Sequence, residues 1–69
     1  MLRMIPVVIV TDKMGNIRPL FVVWEDHLYK IRSIRNVRAS GSKGILYECL
    51  IENRMRHLYH KENKWYIEH

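Results

Sequence analysis

The side chains in this sequence that are best suited to chemistry are cations concentrated in one segment. Between His27 and Tyr47 the chain has five basic residues and no acidic one, whereas the remaining residues contribute seven of each sign. The net charge of +5 therefore arises in this segment. Clustered cations bind polyanions, and arginine engages phosphate through two parallel hydrogen bonds. The pattern predicts phosphate contacts by Lys30, Arg32, Arg35, Arg38 and Lys43.

Two tyrosines accompany these cations. Tyr29 and Tyr47, if exposed, could stack on bases, as aromatic residues do in small barrels that bind single strands. No zinc finger or aromatic RNA-binding motif accompanies the charge. The alternative is that the cations form a solvated face that serves only solubility, with both tyrosines in the core.

The remaining candidate residues, His57, His60 and Cys49, fit neither a metal site nor a catalytic thiol. His57 and His60 are three residues apart, which on a strand directs them to opposite faces. Zinc needs three or four ligands at recognisable spacing, and the sequence does not offer them. Cys49 belongs to an alternating apolar set, where a thiol is usually inert. We therefore predict no metal, no cofactor and no enzymatic activity.

The elements that must position these residues have the composition of strands. Their patterns are rich in β-branched and aromatic residues or alternate between apolar and polar, and clusters of turn residues separate them. Pro19 favours an edge position or a bulge early in the second segment. The predicted strands outside the basic segment are 5–11, 17–24, 45–52, 55–61 and 64–68.

The basic segment itself breaks the strand period. A regular strand would place Ile31 and Ile34 on opposite faces. One bulge at residues 32–33 would bring both isoleucines to the same side, and a second near residue 35 would add Val37. Bulged, bent strands are how small sheets curl into barrels.

A helix over 27–39 is the competing interpretation. Asp26 would be its N-cap and Gly41 would lie just past its end. However, the apolar residues step by three, so at helical spacing they drift through about 180° instead of forming a stripe. The sequence leaves both a bulged strand and a helix open.

Length and cysteine content restrict the class of protein. Sixty-nine residues make a single domain, 1–69. Cys49 is alone and cannot form an internal disulfide, which favours the reducing cytoplasm over secretion. The apolar residues 1–10 are too few to span a bilayer and lack the features of a signal peptide. We expect an all-β antiparallel meander of about six strands, curled into a partly open SH3-like barrel that hides its edges.

Four runs of residues carry a resemblance. They are F-V-V-W-E-D-H-L-Y-K-I (21–31), Y-E-C-L-I (47–51), L-Y (58–59) and W-Y-I-E (65–68). The chain resembles short, uncharacterised bacterial β proteins with the pattern W-x-D-G-x-x-Y-x-I, then Y-x-V-x-I and W-F-V-E. The resemblance implies a fold and brings no active-site residue. His27 stands where the pattern has glycine, and because histidine tolerates left-handed backbone, we expect a turn at 25–27.

Two functions are compatible with these residues. The first is binding to DNA or RNA through the basic strand and glycine loop, 29–44. The alternative is a protein-interaction module, which would bind a protein partner or form a homodimer, with no membrane role. The deciding geometric question is whether Arg32, Arg35 and Arg38 share one face.

Overall fold

Seven antiparallel strands form one continuous sheet in the computed structural model, which describes all 69 residues. The sheet order is β1-β7-β6-β5-β4-β3-β2. The all-β prediction is confirmed, with one strand more than expected, and residues 27–39 form a strand and not a helix. The strands are β1 (Leu2–Met4), β2 (Val7–Thr11), β3 (Ile17–Trp24), β4 (His27–Ala39), β5 (Ile45–Ile51), β6 (Arg54–Lys61) and β7 (Lys64–Glu68).

The N-terminal segment joins the two edges of the sheet. β1 and β2 are consecutive in sequence, yet β1 pairs with β7 and β2 pairs with β3. Between them, the backbone N–H of Ile5 donates to the carbonyl of Trp65 (3.0 Å), and the carbonyl of Pro6 accepts from the N–H of Val23 (3.0 Å). Because proline has no N–H to give to a ladder, Pro6 suits the point where the chain changes partner. The sheet thus curls into a barrel.

The core fills the interior of this barrel. Alternate residues of β5 point inward, and Cys49 and Leu58 are completely buried. Burial of one such leucine contributes about 1.5–3 kcal/mol. The core cluster comprises Ile5, Val22, Ile31, Tyr47, Cys49, Ile51, Leu58, Trp65 and Ile67.

β4 contains the two predicted bulges. Its register with β5 shifts between Ile31 and Ser33 and again between Ile34 and Asn36. Ile31 and Ile34 consequently pair with inward-facing residues of β5, as the sequence predicts. A third shift lies where Pro19 pairs with β2, which confirms the irregularity expected there.

The barrel is open along one seam. β3 pairs with β4 only through Phe21–Trp24, so the second half of β4 pairs with β5 alone. Val37 has an inward-facing partner in β5 but remains half exposed, because no strand covers it on the β3 side. The structure is therefore partly open, as predicted.

Three hairpins are closed by two-residue turns. The central pairs, Glu25–Asp26, Glu52–Asn53 and Glu62–Asn63, all have positive φ, between 49° and 65°. Two left-handed residues give the backbone twist that tight hairpins need. The expected three-residue turn at 25–27 is wrong by one residue, because His27 pairs with Trp24 and belongs to β4.

No helix in the structure has the length and apolar character required to cross a membrane.

Candidate nucleic-acid interface

Four of the predicted cations lie on the outer face of the sheet. Each neighbours an inward-facing apolar residue in the sequence of β4, and successive strand residues point to opposite faces. All four are exposed to solvent. The register places Lys30 and Arg38 on this face, and the two bulge residues, Arg32 and Arg35, each follow an inward-facing isoleucine and are exposed beside it.

Three of these four cations have no acidic partner. Among them only Arg38 lies within 4.0 Å of a carboxylate, with its Nη1 3.0 Å from Oε1 of Glu48. We refer to Lys30, Arg32 and Arg35 as the basic strip. Its charges are free to interact with an anion from solution.

Glu48 is the acidic centre of the same face. It accepts hydrogen bonds from Asn36 Nδ2 (3.1 Å) and Arg38, and His57 Nε2 lies 3.2 Å from its other oxygen. The Asn36 hydrogen bond, and then the charges of Arg38 and His57, hold the pKa of this carboxyl below its ordinary value of 4.5. Arg38 is thus partly neutralised, although its side chain is still 54% exposed.

Lys43 lies apart from the basic strip. It ends a single 3-10 turn, Gly41–Lys43, and its Nζ is 5.4 Å from the centre of the buried Tyr59 ring. Gly44 then follows with φ 86°, where an added Cβ would collide with the backbone oxygen of His60. The glycine loop is therefore packed closely against β6, and this positions Lys43 over an aromatic ring.

The two candidate stacking tyrosines have different environments. Tyr47 is only 9% exposed, its ring centre is 5.1 Å from that of Trp65, and burial raises the pKa of its hydroxyl. Base stacking requires an exposed ring, so Tyr47 does not meet the condition for that role. Tyr29 is half-buried at a cavity, and a base could still reach it.

The two histidines of β6 lie on opposite faces, and the cysteine lies in the core. His57 faces Glu48 on the outer face, whereas the His60 ring stacks on Trp65 with 4.4 Å between ring centres. No group of three or more His, Cys, Asp or Glu side chains is placed to hold a metal ion. Cys49 is fully buried, and burial raises the pKa of its thiol to about 12. Its thiolate is therefore scarce at neutral pH.

A second group of cations lies at one end of the barrel, which we call the barrel mouth. A cavity of about 460 Å³ opens there, and its lining combines aromatic, basic and apolar side chains. The sequence pattern assigns no binding role to Trp24 or to the two arginines. The lining includes Trp24, Tyr29, Glu52, Arg54, Arg56 and His69.

One feature of the sequence could have revealed these arginines. In β6, Arg54 and Arg56 alternate with outward residues and share a face with Leu58, which is a core residue. Two arginines in phase with a buried leucine indicate cations on the inner face of a barrel. The signal is visible only once Leu58 is known to point inward.

Comparison with known proteins found no match: no protein-family model, no curated protein and no solved structure matches this chain. The resemblance to short bacterial β proteins therefore stays a prediction.

Proposed function

We propose that this protein binds nucleic acid, without catalysis, through phosphate contacts made by the basic strip. The observation that carries the proposal is that Lys30, Arg32 and Arg35 are exposed on one face and have no carboxylate partner. Unpaired surface cations gain affinity for a polyanion by releasing its counterions. The strip would supply most of the binding energy.

The geometry favours a single strand as the ligand. The strip follows one β-strand, so its cations form a single row of at most about 17 Å at 3.3 Å per residue, shortened by the two bulges. One flexible backbone can follow such a row, whereas the neighbouring Tyr29 points to the inner face and lines the cavity. Arg38 would also contact phosphate but would contribute less binding free energy, because phosphate must compete with Glu48 for its guanidinium.

A protein-interaction role is the alternative, favoured by a different observation. Val8, Val10 and Leu28 are apolar and between 43% and 59% exposed, in the same part of the sheet. Exposed apolar groups support protein contacts. This role predicts a homodimer or heterocomplex that persists at moderate salt, which light scattering over a concentration series would detect.

The proposed location is the cytoplasm, because a single cysteine cannot form the internal disulfide on which small secreted domains usually depend.

Oligonucleotide titration at several salt concentrations tests the proposal. We expect the affinity for a labelled single strand to fall steeply with salt, and the double variant Arg32→Gln/Arg35→Gln to bind more weakly. Loss of two phosphate contacts should reduce the slope of log K against log salt by about 1.4. Duplex of the same sequence should bind less tightly.

The matched control removes two charges elsewhere. Lys61 and Lys64 face each other across the β6–β7 turn and are exposed. Lys61→Gln/Lys64→Gln should lower the slope much less than the strip variant does. Equal effects of the two double variants would mean that binding depends only on the net charge of the protein and not on the basic strip. The absence of binding at low salt would also refute the proposal.

A further inference from the structure

The side chains at the barrel mouth form a separate candidate binding site, to which no residue of the basic strip contributes. Its cavity of about 460 Å³ is within the size range of small-molecule sites. The floor is apolar, formed by Val22, Ile51 and Ile67 of the core. Such a floor accepts the flat, apolar part of a ligand and excludes water from it.

Two aromatic side chains form one wall. Tyr29 pairs with Val22, and Trp24 is two residues further along β3, so both rings are on the inner face of neighbouring strands. Both are half-buried. The guanidinium of Arg3 lies 4.4 Å from the centre of the Trp24 ring, which adds positive charge beside this wall. A planar group entering the cavity would meet aromatic surfaces suited to stacking.

Two arginines form the opposing wall. Arg54 pairs with Ile51 and Arg56 with Cys49, so both are directed to the inner side of β6. Neither lies within 4.0 Å of a carboxylate, although Glu52 lines the same cavity. Placing a half-buried cation beside an apolar core is costly unless a counter-charge approaches it. Arg54 and Arg56 are therefore available to an anionic group that enters the cavity.

We infer that the barrel mouth binds a nucleotide, with the base against Trp24 and Tyr29 and the phosphate on Arg54 and Arg56. Arginine forks suit phosphate geometry. Glu52 at the rim can accept a hydrogen bond from an exocyclic amino group of the base. The choice of a nucleotide rests on the proposed function. The nucleotide can be free or the phosphorylated end of a strand.

Calorimetric titration with small ligands at low salt tests the inference. The probes are adenosine and cytidine 5′-monophosphates, the matching nucleosides, inorganic phosphate, and a short single strand with and without a 5′-phosphate. Both monophosphates should bind more tightly than phosphate or nucleoside alone. Inorganic phosphate binding as tightly as the monophosphates, or no saturable binding by any of them, overturns the inference.

Variants locate the site. Arg54→Gln/Arg56→Gln should weaken monophosphate binding by about tenfold or more, and Trp24→Leu should reduce the advantage of monophosphate over phosphate. Because Trp24→Leu can also disturb folding, the arginine variant is decisive, with Lys61→Gln/Lys64→Gln as its matched control. Unchanged monophosphate affinity in the arginine variant would overturn the inference.

The strip variant separates this inference from the proposed function. Arg32→Gln/Arg35→Gln should leave monophosphate affinity unchanged within about twofold, since neither residue lines the cavity. If oligonucleotide binding proves independent of the strip while monophosphate binding depends on Arg54 and Arg56, the proposed function fails and the site remains. Tighter binding of the strand with a 5′-phosphate than of the same strand without it identifies a strand end, and equal binding of the two strands identifies a free nucleotide.

Discussion

The two halves of the sheet differ in regularity and in what they bury. In the regular half, β5–β7, the registers run without a break, and in the bulged half, β2–β4, register shifts occur within the half and where β4 meets β5. Eight of the eleven buried hydrophobic residues belong to the regular half, whereas the basic strip belongs to the bulged half. The regular half therefore supplies most of the core, and the bulged half presents the basic strip.

The bulges explain how β4 contributes apolar residues to the core and at the same time presents cations to solvent. Inward residues of a regular strand recur every second position, with one outward residue between them. In β4, Ile31 and Ile34 are three apart, so two residues lie between successive inward ones. Each bulge thus adds an outward position without removing an inward one, and Arg32 and Arg35 lie at these insertions.

The largest expected effect comes from truncating the core of the regular half. Leu58 is 0% exposed, and Leu58→Ala should lower the free energy of unfolding by about 2–5 kcal/mol through lost burial and the cavity left behind. The same truncation of Leu28, which is 59% exposed in the bulged half, should change it by less than about 0.5 kcal/mol. Urea unfolding of both variants measures this; similar losses would contradict the difference in burial between Leu58 and Leu28.

A smaller effect is expected where the two halves join. Gly44→Ala should cost about 2–3 kcal/mol, because a Cβ there meets the backbone of His60 in addition to the left-handed strain. Gly41→Ala also has positive φ but no neighbouring atom, so it should cost about 1 kcal/mol. Equal thermal unfolding temperatures for the two variants would show that the loop is not packed against β6.

The smallest effect on stability is expected at Glu48, the acidic centre of the outer face. The folded-state pKa of Glu48 is lowered, so its stabilising contribution is present above about pH 4.5 and is lost as pH falls through the folded pKa. Glu48→Gln should therefore be less stable than the parent at neutral pH, and the difference should vanish in acid. Unfolding measured from pH 7 to pH 3 checks this, and a difference that stays constant over that range would contradict it.

Much of the fold was predictable because local patterns specify it. The isoleucine spacing in β4 requires its bulges, and the strand 17–24 is bounded by clear turn residues. Leu2–Met4 was missed as a separate strand, because its pairing partner is at the far end of the chain and only the closed sheet reveals the exchange at Pro6.

The candidate site was less predictable from the sequence than the fold was, because the exposure of each side chain depends on packing between strands that are distant in sequence. Charge clustering identified the basic strip from sequence. It could not show that Glu48 would bind Arg38, that Tyr47 would be buried against Trp65, or that Arg54 and Arg56 would face the barrel interior. Each of these facts needs the register between strands.

Mapping backbone amide chemical shifts during titration with a single-stranded oligonucleotide tests the central claim most directly. If the bulged half presents the binding surface, the largest shifts should fall on residues 30–36 of β4, with smaller ones at the barrel mouth. Shifts confined to the β6–β7 turn, or spread evenly over the surface, would contradict the claim that the basic strip binds nucleic acid.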